Sequence, residues 1–284
     1  MENVKELQDL LNLEQIEVNI FRGQNFMSPW KRVFGGQVLA QATHAAYRTV
    51  PEDRYLHSMH AYFILAGDIE MPIVYEVDVV RDGGSFTTRR VVAIQKGRPI
   101  FIMAASFQLK QDGINHQIEM PDVPGPDGLP SDHEIIESIK YKFPKAYDAY
   151  NHDRPIEFRP VENYGPLLQR DSVPFQHIWF RVKGEVKGGL ARHHEILTYA
   201  SDYNLLTTAT LPHREMLNRG KTFMASLDHG MWIHRDFDIS KWHLYALDSP
   251  SASNSRGFTR GNIFDTDGNL VASVVQEGLI RNSE

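Results

Sequence analysis

The chain has 284 residues, a formal net charge of −6, and a composition of 42% hydrophobic and 23% charged residues. These values are typical of a globular protein with a sizeable core, organised as one large domain or as two of ordinary size. The acidic balance argues against a nucleic-acid binder, because phosphate binding usually requires a basic surface, and the absence of cysteine excludes disulfides, thiolate metal sites and cysteine nucleophiles.

The N-terminal segment is polar and amphipathic, and its apolar residues are spaced as on a short helix over 3–13. It lacks the basic start and apolar centre of a secretory signal. No stretch approaches the ~18 uninterrupted apolar residues of a membrane span. We therefore expect a cytoplasmic protein with no membrane span.

The first half of the chain is predicted to form one long helix followed by several long strands. The helix is expected over 34–50, where a stripe of mostly small side chains would let it lie close to a sheet, and the pair Gly35-Gly36 stands at its start. Strands are predicted at 56–65, 72–82, 85–95 and 100–110. The connections between the last three strands are short and turn-like, so these strands are predicted to be adjacent and antiparallel.

Residues 113–153 interrupt this pattern. The segment 120–130 is rich in proline, glycine and aspartate, which indicates a linker. A short helix is predicted over 131–143, with Ser131 as its N-cap and Glu134 three residues later.

After the linker the same order of elements recurs. Strands are predicted at 157–162 and 175–184, a helix at 191–210, and further strands at 222–237, 242–252, 257–267 and 270–280. The turn at 95–98 corresponds to the turn at 266–269, and the run that begins at His60 matches the run that begins at His229. The repetition predicts a duplicated α+β fold, with an N-terminal repeat over 1–112, a linker over 113–153 and a C-terminal repeat over 154–284.

Several familiar catalytic and cofactor motifs are missing. The sequence contains neither glycine-rich phosphate-binding motif and no G-x-S-x-G elbow. Among its thirteen histidines, His193 and His194 beside Glu195, and His57 with His60, are the candidates for a metal site. Adjacent helical residues diverge in direction, and no H-E-x-x-H motif is present. We interpret these histidines as surface or core residues and expect no metal and no cofactor.

Two polar residues of the second half stand out against their surroundings. Within the predicted helix, Asp202 lies beside Tyr199 and Leu206, so its carboxylate would face a desolvated surface, where it is a stronger base once ionised. The alternative is a structural hydrogen bond to a nearby backbone group. Ser226 shares a predicted strand face with Asp228, and a solvent-facing hydroxyl is the alternative to a functional one.

Gln276 is the third polar residue. On the predicted final strand it follows Leu270, Ala272 and Val274 on one face, so an amide stands where an apolar residue is expected. A buried amide without partners costs a few kcal/mol, so a hydrogen-bonding group of protein, water or substrate should meet it. The turn alignment places Ala105 at the corresponding position of the first repeat, which means that the fold itself does not require an amide there.

Arginines cluster on corresponding strands of the two repeats. A pair of arginines near a cleft can hold phosphates through bidentate hydrogen bonds, and a solvated strand face is the alternative. The candidate residues for substrate or coenzyme binding are Arg89, Arg90, Arg256, Arg260, Gly35 and Gly36.

Seven blocks that occur in this order carry a resemblance to a known family. They are FGGQVLAQA, HSMHAYF, RDGGSFTTRRV, YASDYNLL, LDHGMWIHR, RGFTRG and VASVVQEG, and together they resemble the acyl-CoA thioesterase II family over nearly the whole chain. The resemblance implies a double-hotdog fold, in which each repeat wraps an antiparallel sheet around a long central helix. It also implies hydrolysis of medium- and long-chain acyl-CoA by a homo-oligomer, with a tetramer as the candidate assembly.

The resemblance further implies which residues act. Asp202 in the YASD block, Ser226 in the LDHGMW region and Gln276 in the VQEG block correspond to the family's aspartate, hydroxyl and glutamine, which together activate a water molecule. Many bacterial relatives carry threonine where this chain has Ser226. The first half lacks this set, so we expect it to supply scaffold and part of the substrate groove.

Two other functions are compatible with these observations. A hotdog-type enoyl-CoA hydratase or dehydratase would add water to a carbon–carbon double bond or remove it. A non-catalytic acyl-CoA-binding module would bind the same ligand without turnover.

Overall fold

The computed structural model describes residues 1–27, 31–162, 171–217 and 221–283. The N-terminal repeat contains α1 (Val4–Leu11), β1 (Glu14–Glu17), β2 (Ile20–Gly23), α2 (Gly35–Tyr47), β3 (Arg54–Phe63), β4 (Ile73–Asp82), β5 (Phe86–Gln95) and β6 (Arg98–Leu109). The linker contains α3 (Asp132–Ser138) and α4 (Pro144–Tyr150). The C-terminal repeat contains β7 (Ile156–Pro160), β8 (Phe175–Val182), α5 (Leu190–Ser201), α6 (Leu205–Thr208), α7 (Arg214–Leu217), β9 (Lys221–Ser226), β10 (Asp228–Ile233), β11 (His243–Ser253), β12 (Arg256–Asp265) and β13 (Leu270–Ser283).

The strands form one continuous antiparallel sheet. Its order is β1-β2-β4-β5-β6-β3-β10-β13-β12-β11-β8-β7, and β9 pairs with β13 beside this path. The two repeats are joined through β3 and β10, where His60 lies opposite Gly230. The helices α2 and α5 lie against each other inside the curved sheet, so the double-hotdog α+β architecture is confirmed.

The central helices pack closely because their buried faces carry small side chains. Ala42, Ala45 and Ala46 of α2 are fully buried, as the stripe of small residues predicted. The interface between the helices also holds polar pairs: His44 Nδ1 lies 2.9 Å from Glu195 Oε1. A buried carboxylate needs such a partner, since an unpaired charge in a core is costly.

The duplication predicted from the sequence is visible in equivalent hydrogen bonds. Thr43 and Thr198, which are 155 residues apart, are both fully buried. Each donates its hydroxyl to the carbonyl four residues earlier, at 2.9 and 2.8 Å. The pairing of β5 with β6 resembles that of β12 with β13. In the first pair Arg89 lies opposite Ala105, and in the second Thr259 lies opposite Gln276. Ala105 and Gln276 are both 1% exposed, and this shared burial supports the predicted correspondence of the two positions.

One detail of the predicted repeat alignment is wrong by a single residue. Met59 lies opposite Ala105 on β3 and β6. On β10, Gly230 lies opposite Val275, which places His229 beside Gln276. The structural counterpart of His229 is therefore Met59 rather than His60.

Several local predictions also need correction. The helix expected over 191–210 ends at Ser201 and is followed by Asn204 in the left-handed region, with φ of 67°. The strand expected over 222–237 is divided at Leu227. The elements β1, β2, α4 and α7 were not predicted, and α6 is a separate short helix within the predicted range 191–210. The capping box of Ser131 and Glu134 is present at the start of α3. None of the helices among the described residues is long and apolar enough to cross a membrane.

Candidate active site

Asp202 lies where the C-terminal end of α5 meets the N-terminal end of α2. It is the C-cap of α5, and the N-terminus of α2 from the other repeat approaches it. The backbone N–H of Gly36 donates to Asp202 Oδ2 at 2.9 Å. The first turn of a helix carries partial positive charge and unsatisfied N–H groups, which favour a carboxylate at this place. Because α5 ends at Ser201, Asp202 lies at the end of the helix and not along its face, where the sequence predicts it.

The paired glycines at the start of α2 make this approach possible. A Cβ atom on Gly35 would lie 2.7 Å from Asp202 Oδ2, and a Cβ atom on Gly36 would collide with the carbonyl oxygen of Tyr199. The structure therefore places both glycines against the candidate base. The first repeat contributes a backbone donor to this site, in addition to the scaffold that the sequence predicted.

Ser226 and Gln276 complete the predicted group of three. Gln276 is 1% exposed and projects from β13, and its side-chain nitrogen donates to Asp202 Oδ1 at 3.2 Å. The same nitrogen donates to Ser226 Oγ. The structure thus brings together Asp202, Ser226 and Gln276 from three separate elements, and it buries Ala272 and Val274 on the face of Gln276 as predicted.

A β-bulge positions Ser226. Ser226 lies opposite Gly278, whereas Gly230 lies opposite Val275, so one additional residue is accommodated between β9 and β10. A bulge of this kind turns side chains to the other face and is frequent beside functional sites. As a result His229, rather than Asp228, shares the face of Ser226.

Sequence reasoning missed His229 as part of this site. Its ring is 1% exposed, with Nδ1 3.3 Å from Gln276 Oε1 and Nε2 3.0 Å from Ser201 Oγ. The sequence signal that could have identified it is the presence of a histidine in the same segment as Ser226. Strict alternation, however, assigned His229 to the strand face opposite to that of Ser226. Only the bulge reverses the assignment.

The surroundings of Asp202 make it a candidate general base. Burial raises the pKa of its carboxyl from 3.8 to about 6, and the hydrogen bonds from Gln276, Gly36 and Ser226 oppose this rise. A base whose pKa lies near the working pH is ionised and still able to accept a proton effectively.

A cavity of about 640 Å³ lies beside Asp202, between the linker and the second repeat. Its lining includes the apolar side chains Phe34, Ile135, Ile136, Phe158, Ile178, Tyr203, Leu217 and Met224. An ion pair between Arg154 and Asp132, 3.1 Å apart, lies among the same residues. A largely apolar pocket with a few polar groups is the usual form of a small-molecule site.

The four predicted arginines are each paired with a carboxylate of the chain. Arg89 is 1% exposed and lies 2.7 Å from Asp82. The partners of Arg90, Arg256 and Arg260 are Asp78, Glu277 and Asp248. Among the described residues that line the cavity, none of the four is found. Buried Arg89 thus serves the packing of the first repeat, and phosphate binding by the other three stays a prediction.

The corresponding place in the first repeat is filled by apolar and aromatic groups. The same offset that relates Thr43 to Thr198 puts Tyr47 at the position of Asp202, and the strand registers put Leu56 at that of Ser226. The ring of Tyr47 packs edge-on against Phe107, with 4.9 Å between centroids. Its hydroxyl accepts a hydrogen bond from the backbone of Leu56 at 2.8 Å. This arrangement supports the expectation of a single catalytic centre, in the second repeat.

Comparison with known proteins identifies the class. Residues 26–108 match the family described as acyl-CoA thioesterase N-terminal domain, and residues 147–279 match acyl-CoA thioesterase. The chain belongs to the acyl-CoA thioesterase II family.

Individual relatives cover nearly the whole chain. Acyl-CoA thioesterase 2 of Haemophilus influenzae is 38% identical over 97% of this chain and 96% of its own length. Acyl-coenzyme A thioesterase 8 of Homo sapiens is 41% identical over 96% of this chain and 88% of its own length. The crystal structure of an acyl-CoA thioesterase II from Mycobacterium marinum is 40% identical, covers 98% of this chain and 99% of its own, and superposes with a TM-score of 0.81.

Proposed function

We propose that this protein hydrolyses acyl-CoA to a free fatty acid and CoA, and that Asp202 activates the attacking water. The observation that carries the proposal is the position of Asp202: partly buried, held between the Gly36 amide and the Gln276 side chain, and with a pKa raised to about 6. Hydrolysis of a thioester needs one base near neutrality and a means of placing water.

In the proposed reaction, a water molecule takes the place of the hydrogen bond between Gln276 and Ser226 and is held by both side chains, and ionised Asp202 removes a proton from it. The resulting hydroxide attacks the thioester carbonyl carbon, and the carbonyl oxygen becomes an oxyanion. The positive end of α2, which lies at Asp202, favours negative charge at this place. The intermediate collapses as the carbon–sulfur bond breaks, and the proton held by Asp202 passes to the departing thiolate.

An amide suits the role of Gln276 because it donates and accepts hydrogen bonds without carrying charge. Its nitrogen contacts both Asp202 and Ser226. A hydroxyl at position 226 can likewise donate to one group while it accepts from another. Serine keeps this capacity but lacks the methyl group that restricts the rotamer of threonine.

The acyl group is proposed to occupy the cavity beside Asp202. Aromatic and aliphatic side chains such as Phe158, Ile178 and Met224 offer an apolar wall, and burial of each CH₂ group contributes about 0.8 kcal/mol. Medium and long chains would gain most from such a wall. A homo-oligomeric assembly and a cytoplasmic location stay predictions from the sequence.

The test is release of free thiol from a saturated acyl-CoA under steady-state conditions. Wild-type protein should release CoA with turnover, whereas Asp202→Asn and Gln276→Ala should retain the fold and lose most of the rate. A hydratase would release no thiol from a saturated substrate, and a binding module would bind it without turnover. Either outcome would contradict the proposal.

A further inference from the structure

His229 occupies a closed place behind Gln276. The imidazole is 1% exposed, and both of its nitrogens have polar neighbours. Nδ1 faces Gln276 Oε1 at 3.3 Å, and Nε2 faces Ser201 Oγ at 3.0 Å. A continuous series of hydrogen-bonding groups therefore runs from the end of α5, through His229, to the amide that contacts Asp202.

The donors and acceptors in this series allow one consistent arrangement. An ionised Asp202 only accepts hydrogen bonds, so the amide of Gln276 must turn its NH₂ group toward the carboxylate. Its Oε1 then faces His229, which must donate from Nδ1. Burial lowers the pKa of His229 to about 4, so at neutral pH the ring carries one proton. Nε2 is consequently an acceptor, and Ser201 donates to it.

The opposite arrangement would disable the site. The Ser201 hydroxyl also lies 3.0 Å from the carbonyl oxygen of Thr198 and could donate there instead. Nε2 of His229 would then hold the proton, and Nδ1 would accept from a rotated Gln276 amide. That rotation would point Oε1 of Gln276 at the Asp202 carboxylate, where two acceptors repel each other.

The duplicated fold supplies an internal comparison. The positions equivalent to Ser201, His229 and Gln276 are Ala46, Met59 and Ala105 in the first repeat, and all three are fully buried. By contrast, a threonine that donates to a carbonyl of its own helix is retained in both repeats, at positions 43 and 198. The scaffold thus packs well without this polar series, which occurs only in the repeat that contains Asp202.

We propose that His229, held by Ser201, is a positioning residue that fixes the orientation of the Gln276 amide toward Asp202 and the water. The proposal rests on the proposed function, because it assumes that Gln276 contributes to hydrolysis. His229 itself touches neither the water nor the substrate in this account. It acts through Gln276.

The first test replaces His229 by methionine, the residue at the equivalent buried position of the first repeat. We expect kcat for thiol release to fall between about 10-fold and 100-fold with little change in KM, because a misplaced group costs rate rather than binding. The acidic limb of the pH profile should also move to higher pH, since the Gln276 hydrogen bond that lowers the pKa of Asp202 is lost. His229→Asn, whose amide can donate to Gln276, should recover part of the rate.

The decisive test is a double-mutant cycle. In a Gln276→Ala background, adding His229→Met should change kcat by no more than about twofold, because the group through which His229 acts is already gone. The matched control is His194→Met, which removes another buried histidine, bonded to Tyr47 at 2.7 Å. The control is expected to lower stability and to leave the pH profile of thiol release unchanged.

The outcomes separate the two proposals. If Gln276→Ala retains the wild-type rate, the proposed role of Gln276 fails and the role of His229 fails with it. If Gln276→Ala is impaired but the effects of the two substitutions multiply, only the positioning role is overturned. The same conclusion follows if folded His229→Met keeps the wild-type rate and pH profile. An ¹⁵N spectrum provides an independent check: neutral His229 should carry its proton on Nδ1, and a proton on Nε2 would contradict the proposal.

Discussion

Replacing Asp202 by asparagine should stabilise the folded protein at neutral pH while it removes most of the activity. Burial raises the pKa of the Asp202 carboxyl from 3.8 to about 6. The folded protein therefore holds this proton more tightly than the unfolded chain between about pH 4 and pH 6. The unfolding free energy of the wild type therefore falls as the pH rises through this interval. Above pH 6 the folded protein contains a buried, ionised carboxylate, which lowers its stability.

The size of the effect follows from the two pKa values. The difference between 3.8 and about 6, at about 1.36 kcal/mol per pKa unit, corresponds to a cost on the order of 3 kcal/mol above pH 6. Asparagine has the same shape and carries no charge, so it avoids this cost, but its NH₂ group must face the Gly36 or the Gln276 donor, which offsets part of the gain. We expect kcat of Asp202→Asn to fall by about 10² to 10⁴ because the general base is lost.

The assay is urea unfolding of wild type and Asp202→Asn from about pH 5 to pH 8, with thiol release measured on the same samples. The advantage of the variant in unfolding free energy should grow with pH and level off above about pH 6. The matched control is Asp78→Asn, an exposed carboxylate paired with Arg90, for which a change within about 1 kcal/mol is expected. A variant that is less stable than wild type at every pH, or a difference that does not depend on pH, would refute the reasoning.

Four further results are expected. The kcat/KM profile of wild type for thiol release should lose activity below about pH 6, since Asp202 must be ionised, and a flat profile to pH 5 would contradict this. Gly36→Ala should lose both activity and unfolding free energy, because its Cβ would collide with the Tyr199 carbonyl; a variant with wild-type kcat would show that the approach to Asp202 is less close. Arg89→Met should lower the unfolding free energy by about 3 kcal/mol or more and leave KM for acyl-CoA unchanged, because it leaves the polar partners of a buried cation unpaired, and a raised KM without loss of stability would restore the predicted role in binding. Ile136→Trp should raise KM for long-chain acyl-CoA more than for short-chain acyl-CoA by filling the cavity, and equal effects on both would place the acyl chain elsewhere.

The sequence was informative wherever one physical pattern dominated. Alternation located Gln276 on a buried face because β13 is regular from Ala272 onward. The stripe of small residues located α2, since only a helix that packs closely requires it. The alignment of the two repeats placed Ala105 at the position equivalent to Gln276. An amide at this position is therefore a requirement of the proposed chemistry and not of the fold.

The remainder depended on local departures from regular geometry. Asn204 adopts positive φ and ends α5, so Asp202 caps a helix instead of lying along it. The bulge at Leu227 brings His229 to the strand face of Ser226. Sequence alternation assumes a regular strand and therefore cannot predict this change of face. Tandem arginines on a strand must point to opposite faces, but which one is buried depends on the sheet that surrounds them; here it is Arg89.

The most direct test of the central claim is a single turnover of acyl-CoA in ¹⁸O-labelled water with enzyme in excess. If Asp202 activates water for direct attack, the fatty acid should contain one ¹⁸O atom from the first turnover, and the peptide that carries Asp202 should contain none. Unlabelled fatty acid together with ¹⁸O in the Asp202 carboxyl group would show that Asp202 attacks the thioester itself, and it would contradict the account.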